Sequence, residues 1–255
     1  NPSDNGVADG VNYWSRFNST LKDPATTRIL TFPSHKRLQG ANSIASLIVA
    51  QLQPILSSGF CDNQCIVITH STGDLVMRYL NANKTSLLGS NLASRFKVAA
   101  FIDLAGAGGG TELASFGVDL ANGVNHVGSV VQAMLDYMGF TIKLGINPGV
   151  MIDLQPSVAR TTATSSIPAV PRLRVAASGD ELYGVVTHPI IKGSDDSVVP
   201  LHSACGAATN GDYASCVTDL RMYGRVTSVS KAPTLSQLYN YHYPVILSHD
   251  MAHNE

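Results

Sequence analysis

The segment running from Cys65 to Tyr79, Cys-Ile-Val-Ile-Thr-His-Ser-Thr-Gly-Asp-Leu-Val-Met-Arg-Tyr, restricts the fold more than any other part of the chain. It opens with a run rich in β-branched aliphatics that ends at Thr69 and reads as a buried strand. A helix-like run begins at Thr72, and Ser71 stands at the corner between them. A chain that leaves a strand and enters a helix within two residues must turn sharply. Small residues are wanted beside the corner, and Gly73 supplies one. Ser and Thr also serve as plain helix caps in such a place.

The segments around this corner repeat the alternation of strand and helix. Residues 28–33 are short, apolar and β-branched, and are expected to form a strand. Asn42 or Ser43 can cap a helix that carries Ile44, Leu47, Ile48, Leu52, Ile55 and Leu56 on one face. Pro54 is expected to distort its last turn, and Gly59 to end it. Residues 96–104 are a continuous apolar run, the pattern of a strand buried on both faces of a sheet. Residues 171–178, and less clearly 182–191, read as further strands. The order argues for an α/β architecture with a mostly parallel central sheet flanked by helices. Residues 112–160 are the least sheet-like part and read as a helical insertion within a single domain spanning 1–255. Ordinary core helices would give the same pattern, and His126 within it reads as structural.

Composition bounds the class. The 255 residues are 44% hydrophobic and only 14% charged, so the chain is globular and large enough for a sizeable core. A net charge of -1 gives no electrostatic footprint for nucleic acid or an anionic membrane. No apolar run reaches transmembrane length. The chain does not begin with Met and shows no signal peptide, so it is expected to be mature or trimmed. Cys61 and Cys65, and Cys205 and Cys216, fall as two close pairs, and local pairing is the simplest of three connectivities. Two disulfides would place the protein in an oxidising compartment, secreted or periplasmic. Zinc is disfavoured, because neither pair has C-x-x-C spacing and no histidine cluster accompanies them.

The run His70-Ser71-Thr72-Gly73, continuing through Leu75-Val76 to Arg78-Tyr79, resembles the nucleophile elbow of the α/β-hydrolase lipases and esterases. Thr69 stands where the elbow usually has its first Gly, as in some lipases of that fold, and Asp74 replaces the second Gly of the longer pattern. The stretch Ala105-Gly106-Ala107-Gly108-Gly109-Gly110-Thr111 is similar to a Gly-rich turn of bacterial lipases. It lacks the Lys of a phosphate-binding loop. Gly193-Ser194-Asp195-Asp196-Ser197-Val198-Val199-Pro200 matches the pattern Gly-x-x-Asp-x-x-Val-Pro around the acid of such enzymes at Asp196, with Asp195 and Asp180 as competitors. Ser248-His249-Asp250-Met251 resembles the site of the late histidine, with His253 and His242 behind His249. The resemblance is to secreted bacterial-type lipases and carboxylesterases, in scattered motifs from about Tyr13 onward, and it makes residues 112–160 a cap.

The resemblance implies a Ser-His-Asp triad in the chain order of that fold, Ser71, Asp196, His249. A serine hydroxyl is a poor nucleophile near neutral pH and needs a base, which needs an orienting carboxylate. The Thr72 N–H would stabilise the oxyanion, with a second donor from the loop at Gly6 and Val7. No metal and no organic cofactor is required. The implied substrate is an ester: a lipid, a small ester or a polyester. Acyl transfer to an alcohol, with the same triad, and a catalytically silent binding protein on the same fold are the competing readings.

Overall fold

The computed structural model describes residues 12–15, 17–19, 24–124, 147–162, 170, 172–179, 187–204, 221–222, 245–248 and 252–253. Its centre is a five-stranded parallel sheet in the order β1-β2-β3-β5-β4, formed by β1 (Cys65–His70), β2 (Val98–Leu104), β3 (Arg172–Ala177), β4 (Arg221–Met222) and β5 (Val245–Ser248). In register, Thr69 lies beside Asp103 and His70 beside Leu104, so β1 and β2 end level with one another. Parallel α/β sheets bind ligands beyond the carboxyl ends of their strands. Ser71, the Gly-rich turn after β2 and His253 after β5 all follow strand ends.

The helices form where the sequence supplies a stripe and caps. Helix α1 (Ile44–Ser57) buries Ile44, Ile48, Leu52 and Leu56, spaced four apart on one face, and the Ser43 side chain accepts from the Ser46 N–H at its start. Pro54 is held inside the helix, which continues to Ser57. The end is a Schellman motif: Gly59 at φ +83° donates to Leu56, and Phe60 donates to Ile55. Helix α2 (Thr72–Ala82) buries Leu75, Val76, Met77 and Leu80. Helix α3 (Lys84–Arg95) is broken at Gly89, and α4 (Glu112–Ala121) is capped by the Thr111 hydroxyl. Two short helices follow, α5 (Pro156–Thr162) and α6 (Leu201–Ala204). Leu38, the α1 stripe, Leu75, Leu80, Phe101, Leu113 and Met151 form one contiguous core.

One expected strand is absent, and the described part of another is helical. Residues 28–33 pair with no strand of the sheet, and the backbone of Thr31 is satisfied instead by the Gln51 amide at 3.1 and 2.8 Å. The described end of the 182–191 segment is a helical turn, in which Ile190 and Ile191 both donate to Thr187. Pro189 inside it could not have donated to a ladder. Of the 112–160 segment, α4 and the first turns of α5 are described, and 125–146, with His126, lie outside the described residues. Cys61 and Cys65, the first residue of β1, form a disulfide, whereas Cys205 and Cys216 lie outside the described residues.

A buried ion cluster lies under the corner. Arg172 donates through Nη1 to Asp74 at 2.7 Å and to Asp103, and its guanidinium lies 4.5 Å from the Phe101 ring centroid. The Thr69 hydroxyl donates to Asp103 at 2.7 Å, and the Gly108 N–H donates to Asp74 at 3.0 Å. Burial and the nearby Asp74 carboxylate push the Asp103 carboxyl above its ordinary range, against the pull of Arg172. Both departures from the elbow pattern, Thr69 and Asp74, are therefore members of one network centred on Arg172. Arg172→Met would leave two carboxylates buried without their cation. We expect it to destabilise the protein by about 3–5 kcal/mol at neutral pH. The deficit should narrow as pH falls, since burial and the neighbouring Asp74 carboxylate hold Asp103 above its ordinary range and it takes up a proton early. Paired urea denaturation of both proteins across pH checks this.

Candidate active site

Ser71 sits at φ 53° and ψ -125°, a backbone region that side-chain-bearing residues rarely occupy. The corner is held there by its neighbours. The Ser71 N–H donates to Leu104, and the Ser71 carbonyl accepts from Ala107 at 2.9 Å and from Asp74 at 3.1 Å. The corner is thus hydrogen-bonded to the end of β2 and to the Gly-rich turn as well as to its own helix. A Cβ on Gly108 would meet Asp74 Oδ2 at 2.3 Å and Arg78 Nη1 at 2.6 Å. The absence of a side chain there lets the turn approach α2 and reach both Asp74 and Ser71.

The Ser71 hydroxyl lies 3.0 Å from His253 Nε2, and His253 Nδ1 lies 2.9 Å from Asp196 Oδ2. In the tautomer this chain requires, Nδ1–H donates to Asp196 and Nε2 accepts from the serine. The Asp196 carboxylate is fully buried, and its other oxygen accepts the N–H groups of Val198 at 3.1 Å and Val199 at 2.7 Å. Asp195 faces elsewhere, accepting from the Ser197 N–H at 2.7 Å and meeting His188 Nδ1 at 2.8 Å. The imidazole between Ser71 and Asp196 belongs to His253 and not to His249, the histidine the sequence favoured. His249 and His242 lie outside the described residues, as do Asp180, Gly6 and Val7. Thr72 is the first residue of α2, where backbone N–H groups point out of the helix toward the corner.

Several side chains escaped the sequence reading. His70, at the end of β1, donates through Nε2 to the His253 carbonyl at 2.9 Å. Burial, with the His253 imidazole beside it, lowers its pKa to about 4, so it is neutral in ordinary buffers. Glu112 Oε1 accepts from fully buried His202 at 3.0 Å, and Arg160 donates to the other ring nitrogen at 2.8 Å. With the Ser203 hydroxyl accepting from the Gly109 N–H at 3.0 Å, this cluster ties the segment after Pro200 to the Gly-rich turn. A histidine closing an aliphatic strand was the only local sign of His70. Glu112 and His202 are ninety residues apart and carried none. Among the described residues no group of three or more His, Cys, Asp or Glu is placed to hold a metal ion. Nor is any described helix long and apolar enough to cross a membrane.

The structure is similar to that of a mature lipase from Bacillus licheniformis, with 16% sequence identity and a TM-score of 0.49 over 71% of this chain and 66% of that one. It is also similar to a metagenomic carboxyl esterase, with 18% identity and a TM-score of 0.40 over 63% of this chain and 46% of that one. A phospholipase from Legionella pneumophila gives 17% identity and a TM-score of 0.45 over 70% and 36%. The chain spans less than two thirds of the length of each. No protein-family model and no curated protein matches the sequence.

Two outcomes are expected. Gly tolerates the φ of Ser71 and Ala does not, so Ser71→Gly should be more stable than Ser71→Ala by about 1 kcal/mol, read from urea midpoints. His70 has a folded pKa near 4 and an unfolded value of 6.5. Below pH 6.5 the unfolded chain takes up a proton that the native protein refuses. Stability is therefore fully present above pH 6.5 and falls as pH drops toward 4, by up to about 3 kcal/mol. His70→Gln should flatten that part of the profile.

Proposed function

We propose that this protein is a serine carboxylic-ester hydrolase of the α/β-hydrolase type, with Ser71 as nucleophile, His253 as base and Asp196 as the acid. The observation that carries the reading is the continuous hydrogen-bonded chain from the Ser71 hydroxyl through His253 to buried Asp196, with the serine on a strained strand-to-helix corner. Ser71 attacks the ester carbonyl while His253 Nε2 takes its proton. Asp196 keeps the proton on Nδ1 and stabilises the imidazolium. The Thr72 N–H, at the positive end of α2, receives the negative charge of the tetrahedral intermediate. His253 then returns the proton to the leaving alcohol, and water, activated by the same imidazole, releases the acid. The substrate is an ester, a lipid or a small ester or a polymer, and residues 112–160 would form the cap over it. The Cys61–Cys65 disulfide supports a secreted or periplasmic setting.

The test begins with an organophosphonate, which should label Ser71 of the wild type and leave Ser71→Ala unlabelled. Ester hydrolysis should vanish in Ser71→Ala and persist in a metal chelator. Asp196→Asn should lower kcat by up to about ten-thousandfold through the wrong histidine tautomer. Asp195→Asn should be far milder, since Asp195 meets His188 and not His253. Near wild-type turnover in Ser71→Ala would overturn the mechanism.

A further inference from the structure

His253 is gripped at more than its two ring nitrogens. Its backbone carbonyl accepts the Nε2–H of His70 at 2.9 Å, and the two imidazoles lie against each other with centroids 4.8 Å apart. Tyr13 covers His70 from a further ring contact at 5.0 Å, inclined by 32°. His70 is the last residue of β1 and immediately precedes Ser71, so its Cα is fixed by the same sheet pairing that fixes the nucleophile. The His70–His253 bond therefore ties the segment after β5 directly to the elbow strand, across 183 positions of sequence.

We infer that His70 is the positioning residue of the active site, holding the backbone of His253 so that its imidazole stays within hydrogen-bonding reach of the Ser71 hydroxyl. The inference rests on the ester-hydrolase reading above. Asp196 orients the ring at Nδ1, but a carboxylate at one ring nitrogen leaves the main chain free to shift along the strand ends. A donor on the carbonyl removes that freedom, because it meets the backbone and not the ring. The chemistry of His70 suits the task. Its Nε2 must carry the proton in order to donate to a carbonyl. A neutral ring can also lie beside His253 when that residue becomes an imidazolium during turnover, where a second cation would oppose the charge. The low pKa of His70 keeps it in that state throughout the pH range in which His253 works as a base. Misplacing a reacting group by an ångström costs on the order of a hundredfold in rate.

The experiment separates the donor from the ring. His70→Phe keeps an aromatic ring and loses the N–H, and the smaller His70→Leu loses both. His70→Gln keeps an N–H donor of similar reach and loses the ring. The rate of Ser71 phosphonylation by an organophosphonate, and kcat and KM on a short-chain nitrophenyl ester, are measured in all of them alongside thermal midpoints. We expect Phe and Leu to slow labelling and kcat by about tenfold to a hundredfold with KM little changed, and Gln to recover most of the loss. Because two donorless variants are compared, the prediction can be read from whichever folds. Wild-type labelling rates in folded His70→Phe or His70→Leu would overturn the inference. Equal loss in His70→Gln and His70→Phe would overturn it as well, since the N–H would then not be the working feature. Failure of the wild type to label at all would instead count against the ester-hydrolase reading itself.

Discussion

The conformation of Ser71 is the constraint around which the site is arranged. A serine at φ 53° costs on the order of 1–3 kcal/mol and persists only where its surroundings overdetermine it. Here they do so from several directions. Leu104 receives its N–H, Ala107 and Asp74 both donate to its carbonyl, and β1 pairs along its length with β2 up to the residue before it. The two partners from outside α2 belong to the end of one strand and the turn that follows it. The strand-to-helix corner and the Gly-rich turn are therefore one structural unit, although 33 residues separate Ala107 from Asp74.

Beneath that unit the Arg172 cluster replaces flexibility with charge. Thr69 and Asp74 occupy places where the elbow pattern has glycine; the Thr69 hydroxyl reaches Asp103, Asp74 accepts from Arg172, and Arg172 joins the two by donating to Asp103 as well. An extra side chain at each place would crowd the corner unless the neighbouring backbone yielded, and it does so at Gly106 and Gly108. A Cβ on Gly106 would lie 2.8 Å from Asp74 Oδ2. The turn's missing side chains thus make room for Asp74.

What the sequence revealed divides along the range of the interactions. Strand β1, helix α2, the α1 stripe and strand β2 are local patterns, and the burial of Ile44, Ile48, Leu52 and Leu56 follows their spacing. The separation of Asp195 from Asp196 was also legible, because neighbouring side chains in an extended loop point apart; their carboxylates meet His188 and His253 respectively. The histidine facing Ser71 was not legible. His249 and His253 are four residues apart beyond β5, and which of them reaches the serine depends on how the chain leaves the sheet. Residues 28–33 misled for a related reason: they have strand composition, but a glutamine side chain from α1 had already taken the backbone of Thr31. Sequence pattern shows which segments can pair, and competition in three dimensions settles which do.

The contacts of Tyr13 reach beyond chemistry. Its ring lies between His70 and Trp14, with the indole edge-on at 5.2 Å and Phe17 a further 5.8 Å from the indole. Trp14 is the only tryptophan in the chain. The sole indole thus stands two ring contacts from His70 and three from His253. The emission of that indole, a signal that needs no label, therefore arises within the same column of rings that packs on His70 and His253.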